Sequence, residues 1–167
     1  MDNPETTFEK LIVNHQDMIY KVCNIYGHTD ADREDLFQEI TIQLWSSFST
    51  FEHKSKFSTW LYRVALNTAI TQKRKEKRTP TSASLSDMEM RIPDHVENDI
   101  DEEDLMALRS AIRRLNKIDR AIIFLYLEEK SYQEIAEIIG ITSKYVGVKL
   151  VRIKAKLLTI LKTRYGK

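Results

Sequence analysis

The sequence has very few of the residues that interrupt helices or cross-link a chain. Its 167 residues include only 4 glycines, 3 prolines and 1 cysteine. The single cysteine, Cys23, cannot form an intramolecular disulfide, and no spacing of cysteine and histidine is typical of a zinc site. We therefore expect a chain rich in helices, with no metal and no cofactor.

The chain also lacks a long apolar run. No stretch approaches the ~18 apolar residues that a membrane-spanning helix needs, and the N-terminus lacks the apolar segment of a signal peptide. Hydrophobic residues nevertheless make up 42% of the chain, which is enough for one medium domain or two small ones. These features predict a cytoplasmic protein that is not inserted into a membrane.

Charge is distributed in blocks, although the formal net charge is only +1. Residues 1–51 carry 3 basic and 9 acidic side chains, residues 52–78 carry 8 and 2, and residues 79–105 carry 1 and 9. Residues 143–167 carry 8 basic side chains and no acidic one. Two basic segments separated by acidic ones indicate two contacts on one polyanion, most simply a nucleic acid. Solvated helix faces are the alternative, although such long stretches without an acid are uncommon in them.

Apolar residues recur at helical spacing on both sides of a polar, proline-containing segment. The pattern predicts helices over Phe8–Ile25, Asp32–Ser47 and Phe57–Lys77, and it resumes at Leu105. The segment between the two parts has little periodicity and most of one acidic block, which is typical of a flexible linker. We predict an all-α protein of two small helical domains, 1–78 and 105–167, joined by an acidic linker, 79–104.

The segment from Ser131 to Leu157 has the pattern of a helix-turn-helix unit. A capping box begins a short helix at Ser131, Gly140 ends it, and Thr142 can cap the final helix. Such a unit places its second helix in the major groove of DNA. Two amphipathic helices of any bundle could give a similar pattern, but the absence of acidic residues from the last helix favours DNA.

The segment from Phe57 to Arg78 begins with an apolar stripe and ends in a basic cluster. Lysines and arginines of this cluster would hold phosphates, which adds affinity without sequence reading. Arg63 and Asn67 are better suited to read bases, because both have directional donors. Phe51 and Phe57 are either core residues or stacking platforms for unpaired bases.

Two motifs, taken together, resemble a known family. DLFQEITIQLW (Asp35–Trp45), followed by FSTWLYRVALNTAI from Phe57, resembles conserved region 2 of bacterial sigma factors. The helix-turn-helix of Ser131–Leu157, with LRSAIRRLNKIDRAIIFLYL before it, resembles their region 4. The order of the motifs and the short stretch between them are similar to the extracytoplasmic-function (ECF) group. The resemblance implies a subunit that directs RNA polymerase to promoters, not an enzyme.

The resemblance also implies roles for individual residues. One helix face would dock on the clamp helices of the largest polymerase subunit through Asp35, Leu36, Gln38, Glu39 and Ile42. The loop and third helix would bind the melted strand of the minus-10 element through Phe51, Lys56, Trp60, Arg63, Asn67, Lys73 and Arg74. The last helix would read the minus-35 element through Ser143, Lys144, Tyr145, Lys149, Arg152 and Lys154. The implied partners are core RNA polymerase, promoter DNA and an anti-sigma factor.

One departure concerns the last helix. At Gly147 and Val148, members of the family commonly carry a basic and a small polar residue, whereas here neither side chain offers a donor.

Two other functions remain open at this point. A stand-alone helix-turn-helix regulator would explain only the second domain, and a metal-dependent nuclease would use the carboxylates of Asp32, Glu34, Asp35 and Glu39.

Overall fold

The structure, a computed structural model, describes residues 3–76 and 101–166, without the side chains of residues 73–76 and 165. Within these ranges the chain forms seven α-helices and no strand, so the predicted all-α class is confirmed. The chain divides into two compact units, Met1–Ile92 and Pro93–Lys167. Among the described helices, none is both long enough and apolar enough to cross a membrane.

The first unit contains three helices, α1 (Pro4–Tyr26), α2 (Asp30–Phe48) and α3 (Phe57–Glu76). The side chain of Asn3 caps α1, and proline at its first position has no backbone N–H to leave unpaired. A capping box begins α2, in which Thr29 and Asp32 each accept a hydrogen bond from the other's backbone N–H. These caps place the first two helix starts earlier than the apolar periodicity predicts.

A close approach between α1 and α2 explains the glycine that separates them. A Cβ on Gly27 would lie 2.7 Å from Arg33 Cγ and 2.9 Å from the carbonyl oxygen of Cys23. The three helices pack around one apolar core with fully buried side chains from each helix: Ile19, Val22, Cys23, Tyr26, Ile40, Leu44, Leu61 and Ala65. This core holds the exposed faces of α2 and α3 in fixed positions.

The second unit contains four helices, α4 (Glu102–Arg113), α5 (Lys117–Leu127), α6 (Tyr132–Ile139) and α7 (Ser143–Tyr165). Asp101 caps α4, and three acidic residues occupy its first turn, where the helix dipole favours negative charge. The linker predicted for residues 79–104 therefore extends too far, because its last four residues cap and begin α4. The end of the acidic block belongs to a helix N-terminus.

Tight connections join the helices of the second unit. The buried guanidinium of Arg120 donates to the carbonyl oxygens of Arg113 and Leu115 at 2.6 and 3.2 Å, which satisfies the end of α4. Gly140 ends α6 with φ of 84°, a left-handed conformation that favours glycine. The core beneath these turns contains Ala111, Ile122, Leu125, Ile135, Val146, Leu150 and Ile153.

Candidate nucleic-acid interface

The helix-turn-helix predicted from the sequence is present as α6, the turn at Gly140 to Thr142, and α7. Ser131 and Glu134 form the expected capping box, and the Thr142 side chain accepts from the Tyr145 backbone N–H at 3.1 Å. One face of α7 is buried through Val146, Leu150, Ile153 and Leu157. Because this face packs on the core of the second unit, the opposite face of α7 points outward.

Lys149, predicted to contact DNA, lies at the edge of this core. Its Nζ is 2.7 Å from Oδ1 of Asp119, and only 21% of the Lys149 side chain and 10% of the Asp119 side chain are exposed. The contact is an ion pair without the alignment of a hydrogen bond. Asp119 Oδ2 also accepts from Asn116 at 2.9 Å, and Asn116 caps α5. Lys149 thus joins α7 to the start of α5.

Lys154, also predicted to contact DNA, is held by an aromatic side chain of α5. Its Nζ donates to the Tyr126 hydroxyl at 3.0 Å and lies 4.2 Å from the centre of the same ring. The hydrogen bond to Tyr126 raises the pKa of Lys154 above its ordinary value, so the ammonium stays charged. The Lys154 side chain is exposed, and Tyr126 holds its charged end against α5.

The remaining predicted contacts of α7 form its outward surface. Ser143, Lys144, Tyr145 and Arg152 are all exposed, and Tyr145 keeps 45% of its surface. Two apolar side chains lie among them, Val148 at 40% and Val151 at 71% exposure. Gly147 faces the ring of Tyr132, which would lie 3.4 Å from a Cβ at that position. This distance is ordinary van der Waals contact, so the ring packs against α7 without requiring glycine there.

A second candidate surface surrounds the loop between α2 and α3. The Phe51 ring lies 5.0 Å from Trp60, 5.8 Å from Phe57 and 4.5 Å from His53, centre to centre. Trp60 is 8% exposed, so it supports the loop from below and presents little surface itself. Phe51 and Phe57 are half-buried. Each ring therefore contributes to packing and still presents part of its surface.

Polar side chains follow Trp60 along α3 at helical spacing. Arg63 is half-buried, Asn67 is exposed, and Lys56, whose carbonyl oxygen accepts the Trp60 N–H at 3.2 Å, is exposed at the helix start. Trp60, Arg63 and Asn67 are three and four residues apart, so they share one side of α3. The backbone of Lys73 and Arg74 continues α3, and their side chains lie outside the described residues.

A third candidate surface is the outward face of α2. Asp35, Gln38 and Ile42 are exposed, Ile42 to 56%, while the half-buried Glu39 accepts a hydrogen bond from Gln43 at 3.1 Å. Leu36 is only 4% exposed, so it belongs to the core and has little surface for a partner. Trp45, which is not among the predicted contacts, is 47% exposed and extends this surface by one turn.

The carboxylates of α2 do not form a metal site of the kind that a nuclease needs. Asp32 is used in the capping box of the helix, and Glu39 contacts Gln43. Within the described ranges, no group of three or more histidine, cysteine, aspartate or glutamate side chains could hold a metal ion.

Comparison with known families assigns both units. Residues 11–79 match the family model for sigma-70 region 2, and residues 105–157 match that for sigma-70 region 4. The chain belongs to the sigma-70 family. Sigma factors of this family are DNA-binding regulators of transcription initiation, and the ECF group predicted from the motif pair is confirmed by the relatives described next.

The relatives of this sigma factor come from several bacteria. It is 26% identical over 162 residues to the ECF RNA polymerase sigma factor SigW of Bacillus subtilis, covering 89% of this chain and 85% of that protein. It is 27% identical to the RNA polymerase sigma-H factor of Pseudomonas aeruginosa, over 78% of this chain and 74% of the relative. The ECF sigma factor SigG of Mycobacterium tuberculosis is 28% identical, with 42% of its own length matched.

Solved structures support the fold. The sigma factor RpoE of Bartonella quintana, in complex with the anti-sigma factor NepR, matches with a TM-score of 0.71 at 20% identity, over 93% of this chain and 97% of that one. CnrH in complex with the cytosolic domain of CnrY matches with a TM-score of 0.67 at 22% identity, over 95% and 90%.

Proposed function

We propose that this sigma factor divides promoter recognition between its two units, with residues 1–78 acting on the downstream element, residues 105–167 on the upstream one, and residues 79–104 as the connection. The observation that carries the proposal is the exposed side of α3, where Arg63 and Asn67 follow the aromatic loop packed on Trp60. Aromatic surfaces beside directional donors suit unpaired bases. The proposed place of action is the cytoplasm.

Transcription from paired and premelted templates tests the downstream role. The full chain with core RNA polymerase is assayed on a duplex promoter and on the same promoter with an unpaired bubble at the downstream element. If Asn67 reads an unpaired base, Asn67→Ala loses initiation on both templates and loses preference at one base position. Asn14→Ala, an exposed asparagine of α1, is the matched control. A defect in Asn67→Ala that the bubble fully restores would contradict base reading, because melting alone would then be impaired.

The outward face of α2 is the proposed docking surface for core polymerase. It combines an exposed acid, an amide and two exposed apolar side chains: Asp35, Gln38, Ile42 and Trp45. An apolar centre with a charged margin is typical of protein interfaces. Leu36 would act from the core by keeping α2 in place.

A charge reversal tests this docking surface. Asp35→Lys should weaken binding to core polymerase by about tenfold or more, as expected for like charges placed opposite each other, and Asp17→Lys, an exposed acid of α1, should not. The measurement is titration of labelled sigma factor with core enzyme. Equal affinities for the two variants would contradict the docking proposal. Tight and specific duplex binding without polymerase would instead favour a stand-alone regulator.

One solved neighbour is described in complex with the anti-sigma factor NepR, and the other in complex with the cytosolic domain of CnrY. By this analogy, we include an anti-sigma factor among the partners of this chain. The expected behaviour is a protein of the same bacterium that binds the purified sigma factor and is displaced by core polymerase. A bound protein that core polymerase joins without displacing would contradict an anti-sigma role for that protein.

A further inference from the structure

The exposed side of α7 carries apolar side chains where a DNA-reading helix usually carries donors. On a helix that turns ~100° per residue, Val148 lies almost opposite the buried line of Val146, Leu150 and Ile153. Val151 lies about one-sixth of a turn from Val148. The two valines keep 40% and 71% of their surface, and they are neighbours at a spacing of three residues.

Two of the three lysines predicted to read this region, Lys149 and Lys154, do not lie on the same line of α7 as the valines. Lys149 is paired with Asp119 on one flank of α7, and Lys154 is held by Tyr126 on the other. The exposed cations nearest to the valines are Lys144 and Arg152. An apolar patch is therefore bordered by positive charge, and phosphates on both sides of a groove match that border.

We propose that Val148 and Val151 read thymine in the upstream promoter element, through contact of their methyl groups with the thymine C5-methyl in the major groove. The inference rests on the function proposed for the second unit. Thymine is the base that presents an apolar group on the floor of the major groove. The apolar side chain of Val148 suits this contact, because a methyl group is recognised by burying it and not by hydrogen bonding.

The first experiment identifies the element. Full-length sigma factor and core RNA polymerase select functional promoters from a library that is randomised in the upstream region. We expect thymine, on either strand, to be enriched at one or two positions. Each of these thymines is then replaced by deoxyuridine, which lacks the C5-methyl and keeps the same hydrogen-bonding groups.

For each contacted methyl group, the change to deoxyuridine should reduce holoenzyme binding about fourfold, the effect of leaving one CH₂-sized group unburied. Val148→Ala and Val151→Ala each remove two methyl groups, so at least one of them should bind thymine and deoxyuridine promoters equally. Val13→Ala makes the same chemical change at a 62% exposed site in α1 and should keep the full discrimination. Circular dichroism checks that the variants are folded.

Two outcomes would overturn the inference while leaving the proposed function intact. In the first, the wild-type holoenzyme initiates normally but does not distinguish thymine from deoxyuridine at any enriched position. In the second, discrimination persists in the Val148→Ala/Val151→Ala double variant, which would assign the methyl contact to another residue. Failure to select any promoter at all would overturn the proposed function itself, and the inference with it.

Discussion

The ion pair between Lys149 and Asp119 should contribute measurably to the stability of the second unit. Removing one partner of a fully buried pair costs ~3–5 kcal/mol. Here Lys149 keeps 21% of its side-chain surface in water, so we expect a smaller loss of about 1–2 kcal/mol in the free energy of unfolding for Lys149→Met. Asp119→Asn should cost a similar amount, because it keeps a polar group beside Asn116 but removes the charge.

A double-mutant cycle isolates the pair. If the two side chains act together, the double variant should be less destabilised than the sum of the single variants by about 1 kcal/mol. Unfolding in urea is followed by far-ultraviolet circular dichroism. Both tryptophans, Trp45 and Trp60, lie in the first unit, so tryptophan fluorescence reports on the unfolding of that unit separately. A coupling below about 0.3 kcal/mol would refute the structural role of the pair.

The same variants separate a structural role of Lys149 from a direct DNA contact. Loss of one phosphate contact lowers the slope of log affinity against log salt concentration by about 0.9. Lys144→Ala should show this change in holoenzyme binding to promoter DNA. Lys149→Met should leave the slope unchanged even where affinity falls. A slope change equal to that of Lys144→Ala would instead support the direct contact with DNA that the sequence predicts for Lys149.

Three further predictions concern local structure. Burial raises the pKa of the Cys23 thiol to about 12 from its ordinary value of 9.0. A thiol reagent at pH 8 should therefore react with the folded chain at least about a thousandfold more slowly than with the urea-unfolded chain. Similar rates would mean that α1 opens readily. Gly140→Ala should destabilise the second unit by ~1–2 kcal/mol, through backbone strain alone because no atom lies within 4 Å of a Cβ there; an unchanged melting temperature would contradict this. Ser131→Ala should cost about 1 kcal/mol and Ser131→Thr much less, measured by the same thermal unfolding; equal losses would show that the capping hydroxyl is not what matters.

Most of the fold could be predicted because its signals are local. Ser131, Gly140 and Thr142 act on backbone groups within a few residues of themselves, so sequence alone places the helix-turn-helix closely. The start of α4 is harder to predict, because Asp101 and the acids after it fit an acidic linker as well as the first turn of a helix, where acids are also favoured. Composition alone does not separate these two uses of negative charge.

The candidate sites were harder to predict, because exposure is a tertiary property. Leu36 and Trp60 stand within motifs that suggest contact, yet packing buries them. Trp45 belongs to the same motif as Leu36 and is 47% exposed. A helical projection of α2 places Trp45 near the line of Gln38 and Ile42, so the periodicity of the sequence already indicates an exposed position for this residue.

The last helix shows why a count of charges does not by itself locate a reading surface. Residues 143–167 contain 8 basic side chains, but Lys149 is paired with Asp119 of α5 and Lys154 donates to Tyr126. Cations on the flanks of a groove-binding helix can add affinity without selecting a sequence. Selection then depends on the few side chains opposite the core, and two of these are valines. Hence the preferred upstream sequence should depend more on the valines than on the lysines, while salt dependence should follow exposed cations such as Lys144 and Arg152.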